Sequence, residues 1–274
     1  MLAHRMSRPN RIDQTFAALK IARRKGFIAY ITAGDPSLDR TIEFALALER
    51  AGTDILELGV PFSDPLADGA VNQMAAQRAL EAGATVPRLL ETITELRRHS
   101  QIPVVLFTYL NPIYSYGFDR FLSDAAAVGT DGILILDLPP HEAAQNPELA
   151  PGGPLARIQL IAPTTAADRI PIIAGAGSGF IYCVSREGVT GEQTSLATNI
   201  AQRVADIRAH TSLPVAVGFG ISTPEQAAEV ASASDAVVVG SAIVKQIASF
   251  GNEPDAPPRL EALVRPLAEA VHRV

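Results

Sequence analysis

The sequence predicts an α/β fold, a single (β/α)8 TIM barrel with parallel strands, on three observations. Eight short apolar runs alternate along the chain with longer segments of helical periodicity. Several short runs are apolar at consecutive positions, which is typical of parallel strands covered on both faces. The chain has 274 residues, close to the roughly 250 residues of a typical barrel of this kind. The predicted strands are residues 27–32, 54–58, 104–108, 132–137, 157–161, 180–184, 215–218 and 236–240.

Helices are predicted between these strands. Residues 38–51 have an amphipathic pattern, and Ser37 before them is a suitable N-cap. Residues 86–99 carry apolar side chains at helical spacing and basic ones near their end, where these complement the helix dipole. Within residues 141–154, several prolines and glycines predict a short helix followed by an irregular loop. Further helices are predicted at residues 118–128, 195–210, 224–233 and 258–273, with a short one after the eighth strand.

The loops predict which end of the barrel carries the chemistry. Connections that enter strands are short, whereas residues 58–73 and 185–195, which leave strands, are long and rich in Gly, Pro, Asp, Ser and Thr. In βα barrels the loops that leave the strands form the active site. We expect a flexible N-terminal tail at residues 1–12 and one catalytic barrel domain at residues 13–274.

Composition excludes several classes of protein. The net charge is −6, whereas binding to nucleic acid requires clustered Lys and Arg. No stretch approaches the ~20 apolar residues of a membrane span. A single Cys excludes an internal disulfide framework and is typical of a reducing compartment. The five His residues show no metal-ligand spacing. We therefore predict a cytoplasmic protein with no metal, no nucleic acid and no membrane.

A doubly wound open sheet is the alternative for eight βα units. A dinucleotide-binding sheet would have Gly-x-Gly-x-x-Gly directly after its first strand. The sequence there is Ala33-Gly34-Asp35-Pro36, and the Gly-rich run at residues 174–179 precedes a strand instead of following one. The barrel is therefore favoured.

Two carboxylates are candidates for acid–base chemistry. Glu57 lies among apolar residues near the end of the second strand, and a carboxyl inside a barrel would have a raised pKa. Asp68 follows in a loop long enough to fold back over the same pocket. Two carboxyls in different environments can divide acid and base roles. The alternatives are an outward Glu57 paired with Lys or Arg, and turn-forming roles for Asp64 and Asp68.

A phosphate site is predicted after the last two strands. Gly220 and Gly240 follow the seventh and eighth strands, and Ser241 would begin a short helix. Glycines and a helix N-terminus there form the recurrent phosphate site of these barrels. Ordinary turn glycines are the alternative. Tyr182 in the sixth strand needs a hydrogen-bond partner, either Glu57 or a backbone carbonyl, and the adjacent Cys183 should point to the opposite side as an inert core thiol.

At these residues the sequence resembles the α-subunit family of tryptophan synthase over roughly residues 11–250. The segment Glu57-Leu-Gly-Val-Pro-Phe-Ser-Asp64-Pro-Leu-Ala-Asp68-Gly69 is similar to that family's signature. Supporting matches are residues 30–36, Tyr109 with Asn111-Pro112, residues 185–191, residues 218–222 and residues 240–245.

The resemblance implies retro-aldol cleavage of indole-3-glycerol phosphate to indole and glyceraldehyde 3-phosphate. It implies that Glu57 takes the glycerol hydroxyl proton and protonates indole C3, that Asp68 stabilises or accepts the indole N–H proton, and that Tyr182 orients Glu57. Thr190 resembles a lid residue that reaches Asp68's loop when the site closes. The implied phosphate-binding residues are Gly191, Gly220, Gly240 and Ser241, and the implied indole pocket is Tyr30, Tyr109, Leu134 and Phe219.

The resemblance also implies a partner. This is a β subunit that carries pyridoxal phosphate and receives the indole, in an α2β2 heterotetramer. The present chain would need no cofactor, and Asp64, Pro65 and Asn111 match positions of the subunit contact. One departure concerns residues 70–73, which read Ala-Val-Asn-Gln where the common family pattern is Pro-Thr-Ile-Gln.

Three rival functions remain open from sequence. A sugar-phosphate isomerase of the same architecture would share the phosphate site but would leave the Glu57–Asp68 segment unexplained. A non-catalytic activator of the β subunit would not need the two carboxylates. A stand-alone indole producer would need the same site but no partner.

Overall fold

The chain folds into a closed barrel of parallel strands. The computed structural model describes residues 10–145, 153–185, 193–218 and 220–274. Their strands form one sheet in the order β5-β4-β3-β2-β1-β9-β8-β7-β6. Since only Ile158 separates β5 from β6, the two ends of this order are consecutive in the chain and the sheet closes. The strands are β1 (Gly26–Thr32), β2 (Ile55–Gly59), β3 (Val104–Thr108), β4 (Gly132–Ile135), β5 (Ala156–Arg157), β6 (Gln159–Ile161), β7 (Ile181–Val184), β8 (Val215–Gly218) and β9 (Ala236–Val239).

The predicted barrel is confirmed, with one predicted strand divided in two. Residues 157–161 were expected to be continuous, but β5 pairs with β4 and β6 pairs with β7. Between them the Ile158 N–H still donates to Ile133 O at 2.9 Å. The predicted strand 132–137 ends early, at Ile135, because the chain turns where Asp137 accepts a hydrogen bond from Leu110 N–H at 2.7 Å.

Helices cover the outside of the barrel. Ser37 caps α2 by accepting a hydrogen bond from Arg40 N–H, as predicted, and a capping box of Thr223 and Gln226 begins α10. The helices are α1 (Arg11–Ala22), α2 (Leu38–Ala51), α3 (Ala70–Glu81), α4 (Val86–Leu96), α5 (Leu110–Tyr116), α6 (Phe118–Ala127), α7 (Pro140–Ala143), α8 (Ile170–Gly175), α9 (Gln193–Arg208), α10 (Pro224–Ala233), α11 (Ser241–Phe250) and α12 (Ala256–His272).

The sequence analysis did not predict α1, α3, α5 or α8. Helix α1 begins at Arg11, two residues before the predicted start of the barrel domain, because the Asn10 side chain accepts from Ile12 N–H and Ile12 is fully buried. Its apolar side chains at helical spacing, Ile12, Phe16 and Leu19, pack with the cluster of side chains inside the barrel. Residues 1–9 are outside the described part. The short helix predicted within residues 141–154 is α7, and residues 146–152 after it are also not described.

Side chains along each strand point alternately to the two faces of the sheet. One apolar layer therefore lies inside the barrel, and the other packs against the helices. Leu56 and Leu58 pack with the helices, whereas Ile55 belongs to the cluster inside the barrel. Because successive side chains of a strand point to opposite faces, Glu57 shares the inward direction of Ile55. Cys183 packs outward and Tyr182 inward, as predicted. Within the described ranges, no helix combines the length and apolar character needed to cross a membrane.

Asp131 joins α1 and α4 to the base of the barrel, and its loss is expected to destabilise the fold. Its buried carboxylate pairs with Arg11 and Arg97, each at 2.9 Å, and accepts from Val104 N–H at 2.9 Å. Asp131→Ala would leave the charge of the largely buried Arg97 without its carboxylate partner, so we expect the free energy of unfolding to fall by about 3 kcal/mol. Urea denaturation measures this change.

The matched control is Glu269→Ala. Glu269 pairs with Arg273 at 4.0 Å, and both side chains are more than half exposed. An exposed pair of this kind contributes less than about 1 kcal/mol. Equal losses of stability in the two variants would contradict the role assigned to Asp131.

Candidate active site

Glu57 lies inside the barrel near the carboxyl end of β2. Its neighbours in register are Tyr30 on β1 and Val105 on β3. The side chain is 0% exposed, and neither carboxyl oxygen has a hydrogen-bond partner in the described part of the chain. Burial raises the pKa of Glu57 to about 8. The outward, ion-paired alternative is therefore wrong, and the group can gain or lose a proton near neutral pH.

Asp68 lies in the loop between β2 and α3. Its Oδ2 accepts a hydrogen bond from the Tyr109 hydroxyl at 2.9 Å, and Asn72 Nδ2 lies 3.5 Å from Oδ1. Partial burial raises the pKa of Asp68, while the hydrogen bonds from Tyr109 and Asn72 act in the opposite direction. Asp68 N–H also donates to Pro65 O at 3.1 Å. The backbone of Asp68 thus forms a turn, and its carboxylate is held by other residues, Tyr109 and Asn72.

The hydroxyl groups of Tyr30 and Tyr182 are affected by the charges of both carboxyls. Burial raises the pKa of each hydroxyl, and the charges of Glu57 and Asp68 raise both further. No hydrogen bond joins Tyr182 to Glu57 in this structure, because both Glu57 oxygens are unpaired. The charges of both carboxyls therefore act on the inward-facing rings of Tyr30 and Tyr182, here called the interior layer. The predicted orienting role of Tyr182 is not supported by a direct hydrogen bond to Glu57.

Two glycines make room for the tyrosine rings. A Cβ added at Gly59 would lie 2.2 Å from the Tyr30 hydroxyl, and one at Gly218 would lie 2.4 Å from the Tyr182 hydroxyl. Any side chain at these positions would displace the rings. Gly218, at the end of β8, is therefore required by packing against Tyr182.

Apolar side chains line the interior beside Glu57. Phe107 on β3 packs edge-on against Tyr30, with ring centroids 5.3 Å apart, and lies 6.4 Å from the Tyr182 ring. Leu134 on β4 is its neighbour in register and belongs to the inner cluster. Sequence reasoning missed Phe107. Its position two residues after the inward Val105 is the period-two signal that could have identified it.

Tyr109 was predicted for an apolar pocket, but its hydroxyl holds the Asp68 loop. It is the N-cap residue of α5, and its ring lies 5.4 Å from that of Phe62. The hydroxyl accepts a hydrogen bond from Ala67 N–H at 2.9 Å besides donating to Asp68. Contact of Tyr109 with a ligand stays a prediction.

The predicted anion-binding end lies at the start of α11. Gly240 is the N-cap residue without a side-chain cap, so the first N–H groups, beginning with Ser241, have no capping side chain. A Cβ at Gly240 would lie 3.3 Å from Tyr30 Cβ, which places this helix end beside the interior layer. At Gly220, no atom of the described residues other than its chain neighbours lies within 4 Å of the corresponding point. Gly191, Thr190 and Phe219 lie outside the described residues.

The predicted partner-contact residues lie on the surface near the same loop. Asp64 is exposed and accepts from the Ser63 hydroxyl at 2.6 Å, and Pro65 is half-buried. Asn111 on α5 is exposed. Two large apolar side chains accompany them, Leu66 at 92% exposure and Tyr114 at 76%. In the described part of the chain, no group of three His, Cys, Asp or Glu is arranged to hold a metal ion.

Comparisons with known sequences identify one family. The family model of the tryptophan synthase alpha chain matches residues 16–272. A tryptophan synthase alpha chain of Geotalea daltonii is 50% identical over 243 residues, covering 89% of this chain and 92% of that protein. A second alpha chain, of Nitrosococcus oceani, is 48% identical over 264 residues, covering 96% of this chain and 97% of that protein.

Solved structures agree with the sequence comparison. Tryptophan synthase subunit alpha of Legionella pneumophila superposes with a TM-score of 0.89 at 38% identity, covering 97% of this chain and 100% of that one. A chain of M. tuberculosis tryptophan synthase in an aminoacrylate-bound form superposes with a TM-score of 0.85 at 32% identity, covering 96% of this chain and 100% of that one.

Proposed function

Because the chain belongs to the tryptophan synthase alpha chain family, we propose that Glu57 and Asp68 carry out that family's carbon–carbon lyase reaction. The reaction is the retro-aldol cleavage of indole-3-glycerol phosphate to indole and glyceraldehyde 3-phosphate. The observation that carries this assignment is the inward, fully buried and unpaired Glu57 carboxyl, whose pKa is about 8. A buried carboxyl without hydrogen-bond partners costs stability, which favours a functional role over a structural one.

Glu57 serves as both acid and base. It donates a proton to indole C3, which breaks the ring's aromaticity and develops positive charge at N1. The glycerol hydroxyl beside the ring then loses its proton to the same carboxylate, and the carbon–carbon bond breaks. Its electron pair returns to the ring, so indole and an aldehyde form and Glu57 is protonated again. One group with a pKa near neutrality suits both transfers.

Asp68 stabilises the positive charge that develops at the indole nitrogen. Its carboxylate, held in the loop above the interior layer, accepts a hydrogen bond from N1–H and stabilises the positive charge that C3 protonation creates. The rings of Tyr30 and Phe107 and the side chain of Leu134 supply the apolar surface for the indole. Excluding water there strengthens both charge interactions.

The substrate phosphate binds at the start of α11. The N-terminal N–H groups of this helix, beginning at Ser241 after Gly240, and the open backbone at Gly220 offer donors and a favourable dipole. Binding energy from the phosphate fixes the indole against Glu57 and Asp68, remote from the bond that breaks. The nearness of Gly240 to Tyr30 supports this placement.

The partner is a β subunit in an α2β2 heterotetramer. It carries the pyridoxal phosphate and receives the indole directly, while the present chain uses no cofactor and works in the cytoplasm. The exposed Leu66 and Tyr114 beside Asp64 and Asn111 support a docking face here, because apolar side chains of this size are enriched at interfaces. The face adjoins the Asp68 loop, so docking can close it over the substrate.

One assay separates this function from its rivals. The pure chain is incubated with indole-3-glycerol phosphate, with and without a β subunit, and indole is measured. Weak formation of indole that the β subunit stimulates is expected. Full activity alone would indicate a stand-alone indole producer. No indole in either case would leave a non-catalytic activator or a sugar-phosphate isomerase.

The pH dependence of the reaction is a direct test of Glu57. The reaction begins with protonated Glu57, which donates to indole C3, and at a pKa of about 8 about nine tenths of the protein is in that form at pH 7. We expect kcat/KM to be near its maximum at pH 7 and to fall about tenfold per pH unit above pH 8. Initial rates over pH 5–9, with circular dichroism to check folding, measure the profile. A midpoint near 4.5, the ordinary carboxyl value, would contradict the assignment.

A further inference from the structure

We propose that Tyr109 and Asn72 are positioning residues that clamp the Asp68 carboxylate in its productive orientation. This inference rests on the proposed function, since it concerns how Asp68 is prepared to receive the indole N–H. The two residues come from different elements. Tyr109 follows β3 and begins α5, whereas Asn72 lies in the first turn of α3.

The Tyr109 hydroxyl joins two consecutive residues of the loop. It accepts from Ala67 N–H at 2.9 Å and donates to Asp68 Oδ2 at 2.9 Å. One oxygen thereby fixes both the backbone before Asp68 and the direction of its side chain. The Tyr109 ring packs against Phe62 of the same loop at 5.4 Å, so the hydroxyl cannot move away without losing that contact.

Asn72 holds the other side of the carboxylate. Its Nδ2 faces Asp68 Oδ1 at 3.5 Å, and its own Oδ1 is buried without a hydrogen-bond partner in the described part of the chain. An unpaired buried amide oxygen is costly. The opposite amide orientation would place that oxygen against a carboxylate, which is worse when Asp68 is ionised. The arrangement therefore requires Nδ2 toward Asp68.

The backbone of Asp68 is anchored separately. Gln73 Nε2 donates to Asp68 O at 2.9 Å. Removing the Asn72 amide frees one carboxylate oxygen, and removing the Tyr109 hydroxyl frees the other together with Ala67 N–H, while Gln73 still holds the carbonyl of Asp68. Because the Asp68 main chain keeps this separate anchor, the clamp can be tested while the loop keeps its backbone conformation.

The clamp has a chemical consequence. Only an ionised Asp68 can accept the indole N–H and stabilise positive charge at N1. Partial burial favours the protonated carboxyl, and donors from Tyr109 and Asn72 oppose that effect. Each donor occupies a different carboxylate oxygen, and the remaining lone pairs stay available to the substrate.

The test uses the full chain with Tyr109→Phe, Asn72→Leu and their combination. Tyr116→Phe is the matched control, because the Tyr116 hydroxyl also donates to a carboxylate, Asp124 Oδ2 at 2.7 Å, outside the proposed site. Carbon-13 NMR follows the titration of the Asp68 carboxyl in the ligand-free chain, with its signal assigned by loss in Asp68→Asn. Steady-state release of indole with the β subunit is measured on the same variants.

For Tyr109→Phe we expect an upward shift of the Asp68 titration and about a tenfold lower kcat at pH 7, with KM nearly unchanged. Asn72→Leu should move both quantities in the same direction by less, because its hydrogen bond is longer. Tyr116→Phe should change neither. A merely structural role would lower thermal stability without moving the Asp68 titration.

An Asp68 titration that is the same in Tyr109→Phe and the unmodified chain would overturn the proposal. So would a fall in kcat of equal size in Tyr116→Phe. If the unmodified chain released no indole while the titration still shifted, the clamp would stand and the proposed lyase function would fail.

Discussion

Replacing Glu57 by glutamine is expected to lower the release of indole by between about a hundredfold and ten-thousandfold, the range for loss of a general acid–base. Glutamine has nearly the same shape but cannot accept the hydroxyl proton or donate one to indole C3. Substrate binding should persist, because the phosphate end at Gly240 lies on a different strand-to-helix junction. Steady-state kinetics with the β subunit present, together with calorimetric binding of the substrate, separate the two effects.

The same variant is expected to be more stable than the unmodified chain above neutral pH. Burial raises the pKa of Glu57 from 4.5 to about 8. In a linkage analysis, a carboxyl with a raised folded-state pKa has its full stability below pH 4.5 and loses stability as the pH rises to about 8. Glutamine carries no such penalty. Denaturation at pH 8.5 should therefore show a higher midpoint for Glu57→Gln.

Glu91→Gln is the matched control for both measurements. Glu91 is exposed on α4. It should leave kcat and stability unchanged within about 0.5 kcal/mol. If Glu57→Gln turned over at the rate of this control, Glu57 would not be the acid–base.

The second large effect is expected for Asp68→Asn. The substitution removes the negative charge that stabilises N1, so kcat should fall by about a hundredfold or more, as for loss of one preorganised electrostatic group. The loop should keep its shape because the main chain at Asp68 is held by Pro65 O and Gln73 Nε2. Comparison of kcat and KM over pH 6–9 measures the loss.

Asp119→Asn is the control for this change of charge. Asp119 is exposed in the first turn of α6 and belongs to a different segment from the Asp68 loop. A rate for Asp68→Asn within a factor of about two of Asp119→Asn would show that the charge at the indole nitrogen is managed by another group.

Much of the barrel could be predicted from local pattern. Two helices, α2 and α10, have the predicted bounds, since a capping side chain and an uninterrupted amphipathic run define both ends. The division into β5 and β6 could not be predicted from the sequence. It arises because β5 pairs with β4 and β6 pairs with β7, on either side of Ile158, where the barrel closes. Helix α1 was missed for a related reason. Its apolar side chains fit against the barrel interior only after the strands have closed.

In the candidate site, too, some residues could be selected from local pattern and others only from the closed barrel. Glu57 and Asp68 could be selected as carboxylates at the end of a strand and in its loop. The layer of Tyr30, Phe107 and Tyr182 required the closed barrel, because the three residues come from β1, β3 and β7. The hydrogen bond of Tyr109 to Asp68 was not visible in the sequence either, since 41 residues separate the two partners.

The sequence by itself determined the α/β barrel, the location of its polar loops and the family to which the chain belongs. Each of these depends on periodicity, turn residues or an ordered motif within a short stretch of chain. Only the tertiary structure decided that Glu57 is unpaired and holds its proton near neutral pH, and that Tyr109 and Asn72 face Asp68. The physical reason is that desolvation and hydrogen bonding depend on atoms brought together from distant strands, and no local pattern records their distances.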